Sequence, residues 1–328
     1  MKHIVLFIFG VALFGMNGNA QVFIQNTLYP FNRSIYNPAA VGMGQGTNLT
    51  LMGRLQWLGI DGAPTLFTTS VDTKVDAIQG GVGGYIIADK LGPLTTTGLN
   101  GSYAYHLPII EDKLRLGIGA SVGILQKSLN GEFRYDATNG EDPIVPLGQY
   151  SNSLIVPSLA VGLYLSGLDE EGKEQFYIGI SGQDLLEPTI DGLTFTPGVG
   201  EDSRVSRTFY LTGGYRFVLS EDLELEPSFL ARTDGASFQA DLSAFLTLKS
   251  LVILGLSHRF YNDSFAGSLG VRISDNAFIA YSYDYTLNGL NQNGDISSHE
   301  IILSYTFPKV GKRASGRDNT KDKPNSDL

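Results

Sequence analysis

The chain has 328 residues, a formal net charge of −10, 40 Gly, 16 Tyr, 18 Phe and no Cys. Only 17% of its residues are charged, against about a quarter in a water-soluble domain, so much of the surface is expected to face something other than water. The lack of cysteine excludes disulfide scaffolds, thiol nucleophiles, Cys-ligated zinc and a lipoprotein anchor, and the acidic balance excludes nucleic-acid binding through phosphate contacts.

Residues 1–20 read as a signal peptide. Lys2 supplies the positive region, 4–16 is apolar, and Asn17-Gly18-Asn19-Ala20 offers small residues before Gln21. The apolar run is shorter than the roughly twenty residues of a spanning helix. An integral membrane protein with this sequence must therefore be a barrel, because unpaired backbone groups are not tolerated in hydrocarbon. Residues 21–46 form a pre-barrel arm outside the barrel, in which Pro38 rules out a regular central strand.

From Thr47 the sequence alternates with period two, the signature of strands. Leu114, Leu116, Ile118, Ala120, Val122 and Ile124 alternate with Arg115, Gly117, Gly119, Ser121 and Gly123. Leu49, Leu51, Leu55 and Trp57 alternate with Asn48, Thr50, Arg54 and Gln56; Phe265, Leu269, Val271 and Ile273 alternate with Ala266, Ser268, Arg272 and Ser274. Turn signals divide 47–307 into fourteen strands: 47–57, 64–74, 80–89, 96–107, 112–127, 152–166, 174–186, 205–219, 223–233, 236–248, 250–260, 264–274, 276–286 and 298–307. Their lengths suit tilted strands crossing a bilayer, and bacterial barrels use even strand numbers. The predicted fold is an all-β transmembrane outer-membrane barrel of about 14 antiparallel strands.

The three longest connections, 128–151, 187–204 and 287–297, all follow odd-numbered strands, whereas 109–111, 220–222, 249 and 275–276 are tight turns after even ones. Long loops outside and short turns in the periplasm are the asymmetry of an outer-membrane barrel. Tyr103, Tyr105, Tyr281, Tyr283, Tyr285, Tyr305 and Phe307 lie on the apolar parity near strand ends, as a girdle at the lipid–water boundary requires. Residues 308–328 hold six Lys or Arg and three Asp with almost nothing apolar, so a disordered basic periplasmic tail is expected.

Chemistry-bearing patterns are sparse. Beyond the signal peptide the histidines are His106, His258 and His299. Ser257-His258 and Ser298-His299-Glu300 bring serine-hydrolase residue types together, but neighbouring strand residues point to opposite faces, and no Gly-x-Ser-x-Gly elbow occurs. The His spacing fits no zinc site. Gly80-Gly81-Val82-Gly83-Gly84 lacks the Gly-Lys-Ser/Thr ending of a phosphate-binding loop, and Asp169-Glu170-Glu171 with Glu174 lacks the EF-hand spacing. No catalytic residue, metal or cofactor is therefore expected. Arg54, Gln56, Arg115 and Arg272 take the polar parity and are expected to line the lumen. Trp57 takes the apolar parity, as a girdle tryptophan would, but Gly59, Asp61, Gly62 and Pro64 crowd the following turn. A rigid turn beside an aromatic anchor suits a protein-binding hot spot. Trp57, Asp61 and Pro64, with Asn291 and Asn293 on the 287–297 loop, are the candidate partner-binding residues.

Six blocks in order resemble the PorP/SprF family of Bacteroidota outer-membrane proteins, which accompanies type IX secretion and gliding motility. They are Tyr36-Asn37-Pro38-Ala39 with Gly42; Arg54-Leu55-Gln56-Trp57 through Gly62-Ala63-Pro64; Asp89-Lys90-Leu91-Gly92-Pro93; Tyr103-Ala104-Tyr105; Tyr281-Ser282-Tyr283-Asp284; and Ser298-His299-Glu300-Ile301. A Gln-Tyr pair usual shortly before the first block is replaced here by Gln25-Asn26-Thr27-Leu28-Tyr29. The resemblance implies a non-enzymatic barrel in outer-membrane lipid that helps a secreted cell-surface protein, an adhesin or cargo with a C-terminal sorting domain, reach or stay on the surface. It also implies a periplasmic type IX or peptidoglycan-binding partner. Alternatives are a porin for small solutes and a lipid-acting barrel hydrolase.

Overall fold

The computed structural model describes residues 25–44, 46–111, 113–133, 148–190, 193, 204–260, 264–287 and 297–308. The strands are β1 (Thr47–Leu55), β2 (Thr65–Val75), β3 (Gly80–Leu91), β4 (Leu94–Ile110), β5 (Leu114–Phe133), β6 (Gly148–Leu168), β7 (Glu174–Gln183), β8 (Thr208–Tyr215), β9 (Phe217–Ser220), β10 (Leu223–Thr233), β11 (Phe238–Leu248), β12 (Val252–Phe260), β13 (Ser264–Ser274), β14 (Ala277–Thr286) and β15 (Ser297–Phe307). β8 and β9 both pair with β10 and act as one strand broken at Arg216. The Arg216 side chain is pulled to the neighbouring turns, where it meets Asp169 and, at 2.9 Å, Glu224. Every other neighbour pairs antiparallel, and β15 pairs with β1, so the sheet closes into a 14-strand barrel. Closure leaves no edge strand to satisfy in lipid.

The barrel is inverted relative to a soluble protein. On β5, Ile118, Val122 and Ile124 are about half exposed or more, whereas Ser121 is 3% exposed. On β4, Leu99 and Tyr103 face out, and Asn100, Ser102 and Ala104 face in. The inward small and polar residues enclose a filled interior. Residues 25–44 enter the lumen near the outer ends of the strands, the end bearing the long connections, and run to the inner end. They make three short 3-10 turns, Tyr29–Phe31, Arg33–Ile35 and Pro38–Ala40. Leu28, Tyr29, Ile35 and Tyr36 pack in one core with Met52, Tyr210, Leu230, Phe245, Ile253 and Ile302 from strands around the ring. The arm is therefore a plug within the barrel, not a segment outside it. A period-two reading detects wall strands and is blind to a non-periodic segment that fills the space between them.

Several boundaries differ from the sequence expectation. β5 and β6 continue to Phe133 and Gly148, so much of the expected 128–151 loop is a two-stranded extension. Its outward residues Gln126, Ser128, Asn130, Ser151 and Ser153 are polar, which a bilayer strand would not show, and Ser151 Oγ donates to Asn130 Oδ1 at 2.6 Å across the pair. β1 ends at Leu55 rather than 57, and β7 at Gln183 rather than 186. The expected signal peptide at 1–20, most of the tail at 308–328, and Asn291 and Asn293 lie outside the described residues.

Candidate functional site

The plug is held at two levels. In the outer half, Arg54 on β1 donates from Nη2 to Asp284 Oδ2 on β14 at 2.6 Å and from Nη1 to Glu300 Oε2 on β15 at 3.0 Å. Arg259 on β12 reaches Asp241 Oδ1 on β11 at 3.0 Å, and Arg232 on β10 reaches Asp241 Oδ2 at 2.9 Å. Three guanidinium groups thus meet three carboxylates, all buried, so the cluster is neutral. Fork-like guanidinium groups suit such shared contacts. The plug completes it: the backbone N–H groups of Thr27 and Leu28 each donate to Glu300 at 2.8 Å, and Thr27 Oγ1 donates to Asp284 at 2.9 Å. Glu300 therefore reads backbone rather than side-chain identity, which is why the plug sequence there need not be charged.

The lower level is the Tyr36-Asn37-Pro38-Ala39 block. Asn37 Oδ1 accepts from Ala39 N at 2.9 Å and caps the turn, while its Nδ2 donates to Leu163 O at 2.9 Å on the wall. Tyr36 O accepts from Ser181 Oγ at 2.7 Å. Gly42 N donates to Asp72 Oδ2 at 3.0 Å, and His106 Nε2 lies 2.9 Å from Val41 O. Two glycines show how closely plug and wall approach. A Cβ on Gly119 would lie 2.4 Å from Ala39 N, and one on Gly81 2.2 Å from Val41 O. The Gly80–Gly84 run is thus a seat for backbone. Arg33 pairs with Glu174 and stands 4.1 Å over the Tyr177 ring, so Glu174 belongs to the plug seat.

The expected lumen residues do not form one constellation. Arg54 and Gln56 are buried in the outer half. Arg115 sits near the inner end, its Nε without a hydrogen-bond partner among the described residues, and Arg272 lines an inner-end cavity of about 620 Å³ with Arg33, Asp72, Glu174 and Glu226. Arg232, Asp241 and Arg259 were not singled out in the sequence. Their only signal was charge at the polar parity near the outer strand ends. The motif residues divide by face: Asp284 and Glu300 point in, whereas Tyr283 and His299 face out, ring against ring at 5.3 Å. Ser298 is buried while His299 lies on the outer face, bonded through Nδ1 to Tyr281 OH at 2.5 Å.

At the outer mouth, Trp57 lies beyond β1 with φ 51°. The strand parity that made it a girdle residue does not apply there. Its N–H donates to Ser298 Oγ at 3.2 Å, and Leu58 N donates to Ser297 O at 2.8 Å, so the first turn rests on the start of β15. Pro64 O accepts from Gln56 N at 2.9 Å and closes the hairpin. Gly92 N donates to Gly62 O at 2.8 Å, which ties the Asp89–Pro93 turn to the same hairpin. Asp61, Leu58 and Ile60 are exposed.

A closed, inside-out barrel with a folded N-terminal plug defines a bacterial outer-membrane protein. Residues 18–305 match the family described as the type IX secretion system membrane protein PorP/SprF, and the chain belongs to that family. Among solved structures it is similar to the toluene transporter TbuX of Ralstonia pickettii, at 13% identity over 89% of this chain and 96% of that one, TM-score 0.50. It is also similar to the toluene transporter TodX of Pseudomonas putida, at 11% identity over 89% of this chain and 96% of that one, TM-score 0.48. The outer membrane protein Omp33 of Acinetobacter baumannii shares 10% identity over 81% of this chain and all of that one, TM-score 0.44. At these identities the likeness is one of fold. No curated protein sequence matches the chain.

Proposed function

We propose that this barrel is a non-enzymatic platform supporting secretion or surface attachment of type IX cargo, such as an adhesin or a protein with a C-terminal sorting domain. The plug carries the proposal. A lumen crossed by a folded segment that is bonded to the wall at two levels is suited to presenting a rigid mouth rather than to passing solutes. The first hairpin then supplies the contact surface, with Trp57 and Asp61 beside exposed Leu58 and Ile60 and bonded to Ser297, and Asn291 and Asn293 of the 287–297 connection complete the candidate set. Exposed apolar residues on a hairpin held by backbone bonds are what a hot spot uses. The inner-end cavity offers a face to a periplasmic component of the secretion system or a peptidoglycan-binding partner.

The test is the double variant Trp57→Ala with Asp61→Ala in native cells. Barrel abundance and heat-modifiability on gels should be unchanged, while the displayed partner falls and appears degraded or in the medium. Normal display at normal barrel abundance would remove this hairpin from the binding site. The porin alternative is checked separately in planar bilayers, where a stable ionic current through the wild-type barrel would favour it.

A further inference from the structure

We infer that the outer wall of the barrel holds one acyl chain of a membrane lipid in a crevice crossing β11, β12, β13 and β14. The crevice follows from the register. Leu242, His258, Phe265 and Tyr285 are successive cross-strand partners and form one outward row near the outer strand ends. The next row toward the inner end is Ala244, Leu256, Gly267 and Tyr283. Two of its four positions carry a methyl group or nothing. The neighbours do not close over the gap, because a Cβ built on Gly267 meets no atom within 4 Å. A hollow of about 530 Å³ results, lined by both rows.

Its chemistry specifies the occupant. The lining is apolar with a few polar groups at one end, and the volume falls within the range of small-molecule sites. It is continuous with the lipid-facing wall, where Leu242, Leu254, Leu256 and Leu269 are all exposed. The ligand most abundant at that surface is an acyl chain. His258 marks the polar end: its ring stacks on Phe265 at 4.3 Å and meets the edge of Phe260 at 4.5 Å. The imidazole lies in the outer of the two rows, where the ester or headgroup of a chain lying in the crevice would come. The wall is thin here. Ser243, Ser257, His258 and Ala266 also line a small gap on the lumen side with Thr27, Asp241 and Arg259. An acyl chain in the crevice keeps water from the far side of the ion-pair cluster.

The site is tested by native mass spectrometry of the detergent-purified barrel titrated with dipalmitoyl-phosphatidylethanolamine and, separately, with lipid A. Gly267→Leu fills the crevice without a clash. Gly101→Leu adds the same bulk at another outward glycine with open space, on β4, and serves as the control. The wild type should retain one lipid preferentially. Gly267→Leu and Ala244→Leu should weaken that retention by about tenfold, the equivalent of losing contact with roughly two methylenes, while Gly101→Leu leaves it unchanged. Comparing the two lipids identifies the headgroup, and His258→Ala should reduce the difference between them. Equal retention in wild type and Gly267→Leu, or an equal loss in Gly101→Leu, would overturn the site. So would a dimer that disappears in Gly267→Leu, since a second copy would then be the occupant. Heat-modifiability on gels reports folding for every variant.

Discussion

Glu300 shows how much single residues decide in this barrel. Its two oxygens serve Arg54 on the wall and two backbone N–H groups of the plug. Removing it leaves Arg54 buried with Asp284 as its remaining carboxylate and frees the plug entry. Glu300→Ala is expected to destabilise the barrel by about 3–5 kcal/mol, the range for breaking a buried pair, read by urea unfolding in lipid vesicles. Glu300→Gln keeps one acceptor oxygen for Thr27 N–H and Arg54 but turns an NH2 toward the Leu28 N–H, and should lose less than the alanine variant. Equal losses would show that charge, not plug attachment, dominates. In the sequence Arg54 was visible as a lumen-facing residue of the polar parity and Glu300 as a motif residue, far apart in the chain. What couples them is the β1–β15 closure that places Arg54 directly across from Glu300.

Among elements, the strands were readable and the plug was not. Alternation marks which side chains meet lipid, so Ile118→Arg on β5 should cost about 2–4 kcal/mol near mid-bilayer, and Leu116→Ser less; refolding yield into vesicles checks both. Insensitivity to Ile118→Arg would reverse the assigned faces. The plug has no period, and its turns are specified by wall contacts that no local pattern announces. Gly119→Leu drives a side chain into the Pro38–Ala40 turn, where a Cβ alone already lies 2.4 Å from Ala39 N. The expected outcome is a barrel that still forms but conducts ions in planar bilayers, because the plug is unseated. An unchanged, silent barrel would mean that the upper ion-pair level alone holds it. The polar extension of β5 and β6 escaped the sequence for a different reason: beyond Ile124 and Ile155 the outward residues turn polar, so the apolar outward parity that marks a bilayer strand stops there.

At the scale of the whole molecule, sidedness follows from connection length. The segments after β5, β7 and β14 leave one end, and Thr47 and Phe307 lie paired at the other. Cysteines introduced at 140, 195 or 291 should react with an impermeant maleimide on intact cells, whereas one at Asp222, in a tight inner turn, should react only after the outer membrane is broken. The reverse pattern would invert the barrel.

The sequence by itself determined the membrane class, the strand number and the outward face, because each depends on local alternation, strand length and turn chemistry. It also carried the family motifs, whose residues turned out to sit on both faces of the wall and within the plug. Only the tertiary structure decided that the arm fills the lumen, that Arg54, Arg232 and Arg259 share three carboxylates, and that Ala244 and Gly267 open a crevice in one outward row. All three depend on which strands are neighbours and in what register. Ring closure brings together residues as distant as Thr27 and Glu300, and no periodicity along the chain encodes that distance.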